Sequence, residues 1–151
     1  MSEAQSDQNL PRENGNSKVK IKVLIVEDDL CLKAAIFRIL SSVSNDVDVN
    51  WVTTAQEAMD QIQKSRFDFV IADYLLPDSV NGLSIFEKCK ELDPSMPFLL
   101  MSGIPVEAFL EVTMGKKSCP SFLPKPFWPG ELRETINNML GEVFEKRKAL
   151  V

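Results

Sequence analysis

Three short apolar runs, Val23-Leu24-Ile25-Val26, Phe69-Val70-Ile71-Ala72 and Phe98-Leu99-Leu100-Met101, constrain the fold of this chain more than any other feature. None alternates with polar residues, so each has the texture of a strand covered on both faces. Such strands belong to parallel sheets, whose neighbours must be joined by crossovers long enough to hold a helix. The intervening segments meet that need. After the first run, Leu32, Ala35, Ile36, Ile39, Leu40 and Val43 recur at helical spacing.

The same rhythm continues along the chain. Val47, Val49 and Trp51 alternate like a half-exposed strand, which suits a sheet edge, and residues 55–64 read as a helix behind a Thr53/Thr54 cap. A buried strand is predicted over Phe67–Ala72, a helix over Leu83–Leu92, a strand over Phe98–Met101 and a helix over Val106–Met114. A short strand follows at Ser121–Leu123. A last helix starts near Pro129, which suits a first turn, and carries Leu132, Ile136, Met139, Leu140 and Val143. Gly141 weakens the expectation that this helix is one rod. Five strands alternating with five helices predict an α/β protein, a three-layer, doubly wound (βα)5 parallel sheet. With right-handed crossovers the strand order is 2-1-3-4-5, and the ligand crevice lies past the carboxyl ends of the first and third strands.

Bulk properties narrow the function. The chain has 151 residues, 44% apolar and 26% charged, enough for one well-buried core. One domain is expected over residues 19–147, with a polar, mobile tail over 1–18 and a short tail over 148–151. No apolar run reaches the roughly 18 residues of a membrane span, and the first residues lack a secretory pattern, so a cytoplasmic protein with no membrane partner is expected. Cys31, Cys89 and Cys119 have no C-x-x-C spacing and read as reduced packing residues. A net charge of −5 with no basic stripe argues against direct nucleic-acid binding. The absence of histidine removes serine- and cysteine-protease chemistry and imidazole metal sites. Any phosphohistidine must therefore come from a partner.

At the crevice the sequence places charge. The first strand runs into Glu27-Asp28-Asp29 and the third into Asp73. Two bare charges about 5 Å apart at an effective dielectric near 20 repel by roughly 3 kcal/mol, so the cluster calls for a cation. A hard divalent ion with oxygen ligands fits, Mg²⁺ best. Asp29 reads as a helix cap. Ser102 after the fourth strand and Lys125 after the fifth bring a hydroxyl and an ammonium to the same rim. Each alone reads as a cap or a surface lysine; together with the acids they form a set that can hold a phosphoryl group on Asp73.

Glu27-Asp28 after VLIV, Asp73 with Leu76-Pro77, Ser102-Gly103 and the FLPKPF stretch around Lys125 resemble the receiver domain of two-component response regulators, over residues 19 to 147. The resemblance implies the flavodoxin/CheY-like form of the fold. It implies that Asp73 is the phospho-acceptor, that Asp28 ligates Mg²⁺ directly and Glu27 through water, with the Leu75 backbone carbonyl completing the metal set. Ser102 and Lys125 would bind phosphoryl oxygens, and Phe122 would be the aromatic whose rotamer reports the active state. The Lys125-Pro126 bond is commonly cis in this family. The implied partners are a sensor histidine kinase or histidine phosphotransfer protein and a downstream protein target. The implied role is a phosphorelay signalling domain, not an enzyme beyond accepting and slowly losing its own phosphoryl group. Gly82 ends a loop one residue longer than is usual, which resembles receivers attached to hybrid sensor kinases. Leu75 is apolar where many receivers are polar and is expected to alter access of the hydrolytic water.

Val143 and Phe144 either extend an apolar seam for a homodimer or pack on the core. A haloacid dehalogenase reading lacks its second acid, because Leu75 stands there, and a flavodoxin-like cofactor binder would not carry VEDDL where phosphate should sit. The remaining alternative is a receiver-like scaffold that binds partners without phosphorylation.

Overall fold

The computed structural model describes residues 20–149. The predicted tail over 1–18 lies outside them. Five strands, β1 (Ile21–Val26), β2 (Val47–Val52), β3 (Phe69–Asp73), β4 (Phe98–Ser102) and β5 (Ser121–Pro124), alternate with helices α1 (Leu30–Val43), α2 (Ala55–Lys64), α3 (Gly82–Leu92), α4 (Val106–Thr113) and α5 (Pro129–Lys148). All neighbouring strands are parallel, in the order β2-β1-β3-β4-β5. The doubly wound expectation holds, with the alternating strand at an edge.

The two-residue period of a strand divides the apolar runs between two cores. Leu24, Val26, Val70, Ala72, Phe98 and Leu100 pack under α2, α3 and α4. Val23, Ile25, Phe69, Ile71, Leu99 and Met101 pack under α1 and α5. This two-sided burial is why those runs are continuously apolar.

Helix starts are fixed by side chains that accept free amides. The Asp29 carboxylate accepts from Cys31 and Leu32 N–H, as the cap reading requires. Thr54 accepts from Glu57 N–H and Asn81 from Ser84 N–H. Gly82 has a spatial reason: a Cβ there would overlap the Asp73 carbonyl oxygen and lie 2.7 Å from Leu100 Cδ1.

Some details differ from the sequence reading. β3 starts two residues later than predicted, because Asp68 N–H donates to Lys22 O while its carboxylate accepts from Lys22 N–H and pairs with Arg147. Phe67 still closes the core from outside the strand. α5 runs unbroken through Gly141, its buried face of Ile136, Met139, Leu140 and Val143 outweighing the glycine's cost. Val143 belongs to that core, and only Phe144 of the pair stands out, 40% exposed. Of the cysteines, Cys89 alone is a packing residue; Cys31 and Cys119 are exposed. Burial pushes the Cys89 thiol up to about 12, which makes it inert near neutrality.

Candidate functional site

Strand register brings the acidic residues together. Val26 pairs with Ala72, so the next residues, Glu27 and Asp73, leave the sheet side by side. On the other flank Asp73 pairs with Met101, and Ser102 pairs with Pro124, which sets Lys125 just beyond. Side-chain oxygens of Glu27, Asp28 and Asp73 lie within 4.8 Å of one another. Glu27 is buried, the Asp73 side chain is 12% exposed, and Asp28 faces solvent.

Lys125 spans the two sheltered acids. Its Nζ donates to Asp73 Oδ2 at 3.1 Å and to Glu27 Oε2 at 3.3 Å. Its peptide bond to Pro126 is cis, as the resemblance implies. Burial alone would lower the ammonium's pKa; the hydrogen bond to Asp73 and the charges of Glu27 and Asp73 outweigh it and raise it. Glu27 is also raised, first by burial and then by the Asp73 charge, against the opposing Asp29 amide and Lys125. Three carboxylates thus share this corner of the sheet with the single ammonium of Lys125. Three carboxylate oxygens at such spacing fit a hard divalent cation.

The other predicted residues are placed with less direct contact. Ser102 is fully buried at the end of β4, and its Oγ accepts from Ile104 N–H at 3.1 Å, which leaves the hydroxyl proton to be donated. Leu75 N–H points at Asp73 Oδ1, 3.4 Å away, while its side chain is 63% exposed. Phe122 is half-buried and stacks on Phe109 of α4, ring centroids 4.2 Å apart and nearly parallel. Beside Lys125 a hollow opens, lined by Cys31, Leu32, Gly103, Pro126 and Phe127.

Sequence reasoning missed Trp51. Its indole N–H donates to the Glu27 carbonyl at 3.1 Å, and the Lys33 ammonium sits over the ring, 4.3 Å from its centroid. The signal available was register: Trp51 pairs with Ile25, two residues before Glu27. Among the described residues no helix is long and apolar enough to cross a membrane.

The chain is similar in sequence and fold to known proteins. Residues 23–137 match the family model of the response regulator receiver domain. The chain is 30% identical over 122 residues to a probable transcriptional regulator, ycf29, of Porphyra purpurea, covering 78% of this chain and 56% of that protein. It is 29% identical over 121 residues to the transcriptional regulatory protein CiaR of Streptococcus pneumoniae, covering 80% and 51%. The chain thus spans about half the length of these curated relatives. Among solved structures, a CheY-like response regulator receiver domain protein of Methanospirillum hungatei superposes with a TM-score of 0.66 at 25% identity, over 84% of this chain and 98% of that one.

Proposed function

The chain belongs to the response regulator receiver domain family, and on that premise we propose that Asp73 is its phospho-acceptor. The family's phospho-accepting role in two-component signalling is carried here by one observation above the rest: a strand-end carboxylate bridged by Lys125 and crowded by Glu27 and Asp28. The scaffold alternative is not favoured, because the complete acceptor set is present.

An Asp73 carboxylate oxygen attacks the phosphorus of a phosphohistidine on a partner kinase or phosphotransfer protein. The P–O bond forms as the P–N bond breaks, and the imidazole nitrogen leaves with the electron pair. The clustered Asp28 and Asp73 carboxylates, with the Leu75 carbonyl that the resemblance implies and with Glu27 through water, would hold Mg²⁺, which would supply positive charge to the phosphoryl oxygens. Lys125 supplies a further ammonium to those oxygens, and the Ser102 hydroxyl donates its free proton to one of them. Hydrolysis of the acyl phosphate resets the domain, so the chain acts as a switch and not as an enzyme with turnover on another substrate.

The readout follows from Ser102 and Phe122. Movement of Ser102 toward the phosphoryl group frees room for Phe122 to turn inward from its stack on Phe109, which alters the face of α4, β5 and α5. That face presents Val106, Leu110 and Met114, all exposed, to a downstream protein or a second copy of the chain. The same reading puts the domain in the cytoplasm, where kinases make phosphohistidine.

Beryllofluoride, an acyl-phosphate mimic, tests the assignment on the full chain. With Mg²⁺ it should change tryptophan emission and shift the amide resonances of Ser102, Phe122 and Lys125, and Asp73→Asn should abolish both effects. A response that survives Asp73→Asn overturns the assignment.

A further inference from the structure

The loop between β3 and α3 is tied to an element that the acceptor chemistry does not involve. Asp78 reaches across to the start of α2, where Oδ1 accepts from Ala55 N–H at 3.1 Å and Oδ2 from Gln56 N–H at 3.0 Å. That helix already has a local cap in Thr54, which serves Glu57 N–H. Helices begin with four unpaired amides, and the two residues serve three of them: Thr54 from within α2's own entry, Asp78 from a distant loop. Burial would raise the Asp78 carboxyl; the amides of Gln56 and Ala55 outweigh it and leave it lowered, so the tie persists across the neutral range.

The loop is also pinned at its two ends. Tyr74 N–H donates to Met101 O, Leu76 is buried in the core under α2 and α3, and Gly82 N–H donates to Tyr74 O. Between Leu76 and Gly82 the chain makes a left-handed excursion at Ser79, φ 65°, a conformation that side chains other than glycine adopt only when held. Asp78 sits immediately before that residue. Leu75, whose amide faces Asp73 Oδ1, lies three residues earlier on the same tied segment.

We propose that Asp78 is a positioning residue for the acceptor site: it latches the loop to α2 and thereby fixes the Leu75 backbone beside Asp73. The proposal rests on the reading of Asp73 as the acceptor. It gives Asp78 a role that an ordinary helix cap lacks. Thr54 stabilises α2 alone, whereas Asp78 stabilises α2 and the wall of the site together.

Three full-length variants test it: Asp78→Ala, Asp78→Asn and Thr54→Ala. Amide hydrogen exchange without metal reads the loop, titration with Mg²⁺ alone reads the carboxylate site, and loss of label after loading with acetyl phosphate reads phosphoryl lifetime. Asp78→Ala should speed exchange at Leu75 and Ser79, weaken Mg²⁺ by about tenfold, the lower end for residues that orient metal ligands, and change phosphoryl lifetime several-fold. Thr54→Ala should lower stability and leave all three readouts at wild-type values. Asp78→Asn, which keeps one carbonyl acceptor, should fall between, and it serves if the alanine variant does not fold. Equal loop exchange and equal Mg²⁺ affinity in Asp78→Ala and Thr54→Ala overturn the proposal. Failure of the wild type to take up phosphoryl overturns the Asp73 reading instead, and the metal-free exchange still distinguishes a latched loop from a loose one.

Discussion

Replacing Asp28 by asparagine should stabilise the metal-free protein and destabilise it relative to wild type once Mg²⁺ is added. Carboxylate oxygens of Glu27, Asp28 and Asp73 lie within 4.8 Å of one another. At that distance a pair repels by about 1 kcal/mol at the dielectric of water and about 3 at an effective value near 20. Asp28 faces solvent, so the lower figure applies to its two repulsions. The nearby ammonium of Lys125, which touches Glu27 and Asp73, offsets about one of them. The net gain for Asp28→Asn is therefore about 1 kcal/mol, or roughly 3 °C in melting temperature for a domain of this size. Added salt should shrink it, since an exposed charge is screened. A ligand at a hundred times its dissociation constant stabilises the native state by about 2.7 kcal/mol, so Mg²⁺ should carry the wild type past the variant. Thermal and urea unfolding in EDTA and in excess Mg²⁺ measure both orders. An Asp28→Asn protein that is less stable in EDTA, or that gains as much from Mg²⁺ as wild type, refutes the electrostatic account.

Gly82→Ala should cost about 2 kcal/mol in urea unfolding through overlap with the Asp73 carbonyl and Leu100, while Gly103→Ala, whose Cβ meets nothing within 4 Å, should stay within about 0.5 kcal/mol of wild type. The Lys125 pKa is raised in the folded state, so its contribution is complete below the ordinary lysine value near 10.4 and is lost as pH climbs through the raised one. Unfolding measured from pH 8 to 11 should show that late loss in wild type and not in Lys125→Met. Glu27 is likewise raised, so its ionisation costs native stability as pH rises out of the acid range, and Mg²⁺ affinity followed by titration calorimetry should begin to weaken at a less acidic pH than ordinary carboxylates would give.

The fold and the convergence of charged side chains at the sheet rim were legible because both depend on local pattern. Unbroken apolar runs such as FVIA announce two-sided burial, and a charge at the end of such a run has one place to go, the rim of the sheet. Once the strand order follows from the edge texture of β2, the convergence of Glu27, Asp28, Asp73 and Lys125 follows too. What escaped notice depends on partners distant in sequence. Trp51 looked like one more member of an alternating strand; only the pairing of β1 with β2 sets its indole against the Glu27 carbonyl. Asp78 drew no reading from the sequence, because its tie to Ala55 and Gln56 requires knowing where α2 begins in space. Cys31 and Cys119 were misread because a small, weakly polar side chain carries little information about which way it faces. Gly82 was noted for its position in a loop, whereas the close approach of the Asp73 carbonyl is a packing fact that no periodicity encodes.

Chemical trapping of the acyl phosphate tests the central claim most directly. The full chain is treated with acetyl phosphate and Mg²⁺, reduced with borohydride to convert any aspartyl phosphate to homoserine, digested and mapped by mass spectrometry. The account predicts conversion at Asp73 alone, dependent on Mg²⁺. Conversion at another carboxylate, or equal conversion in EDTA, would contradict it.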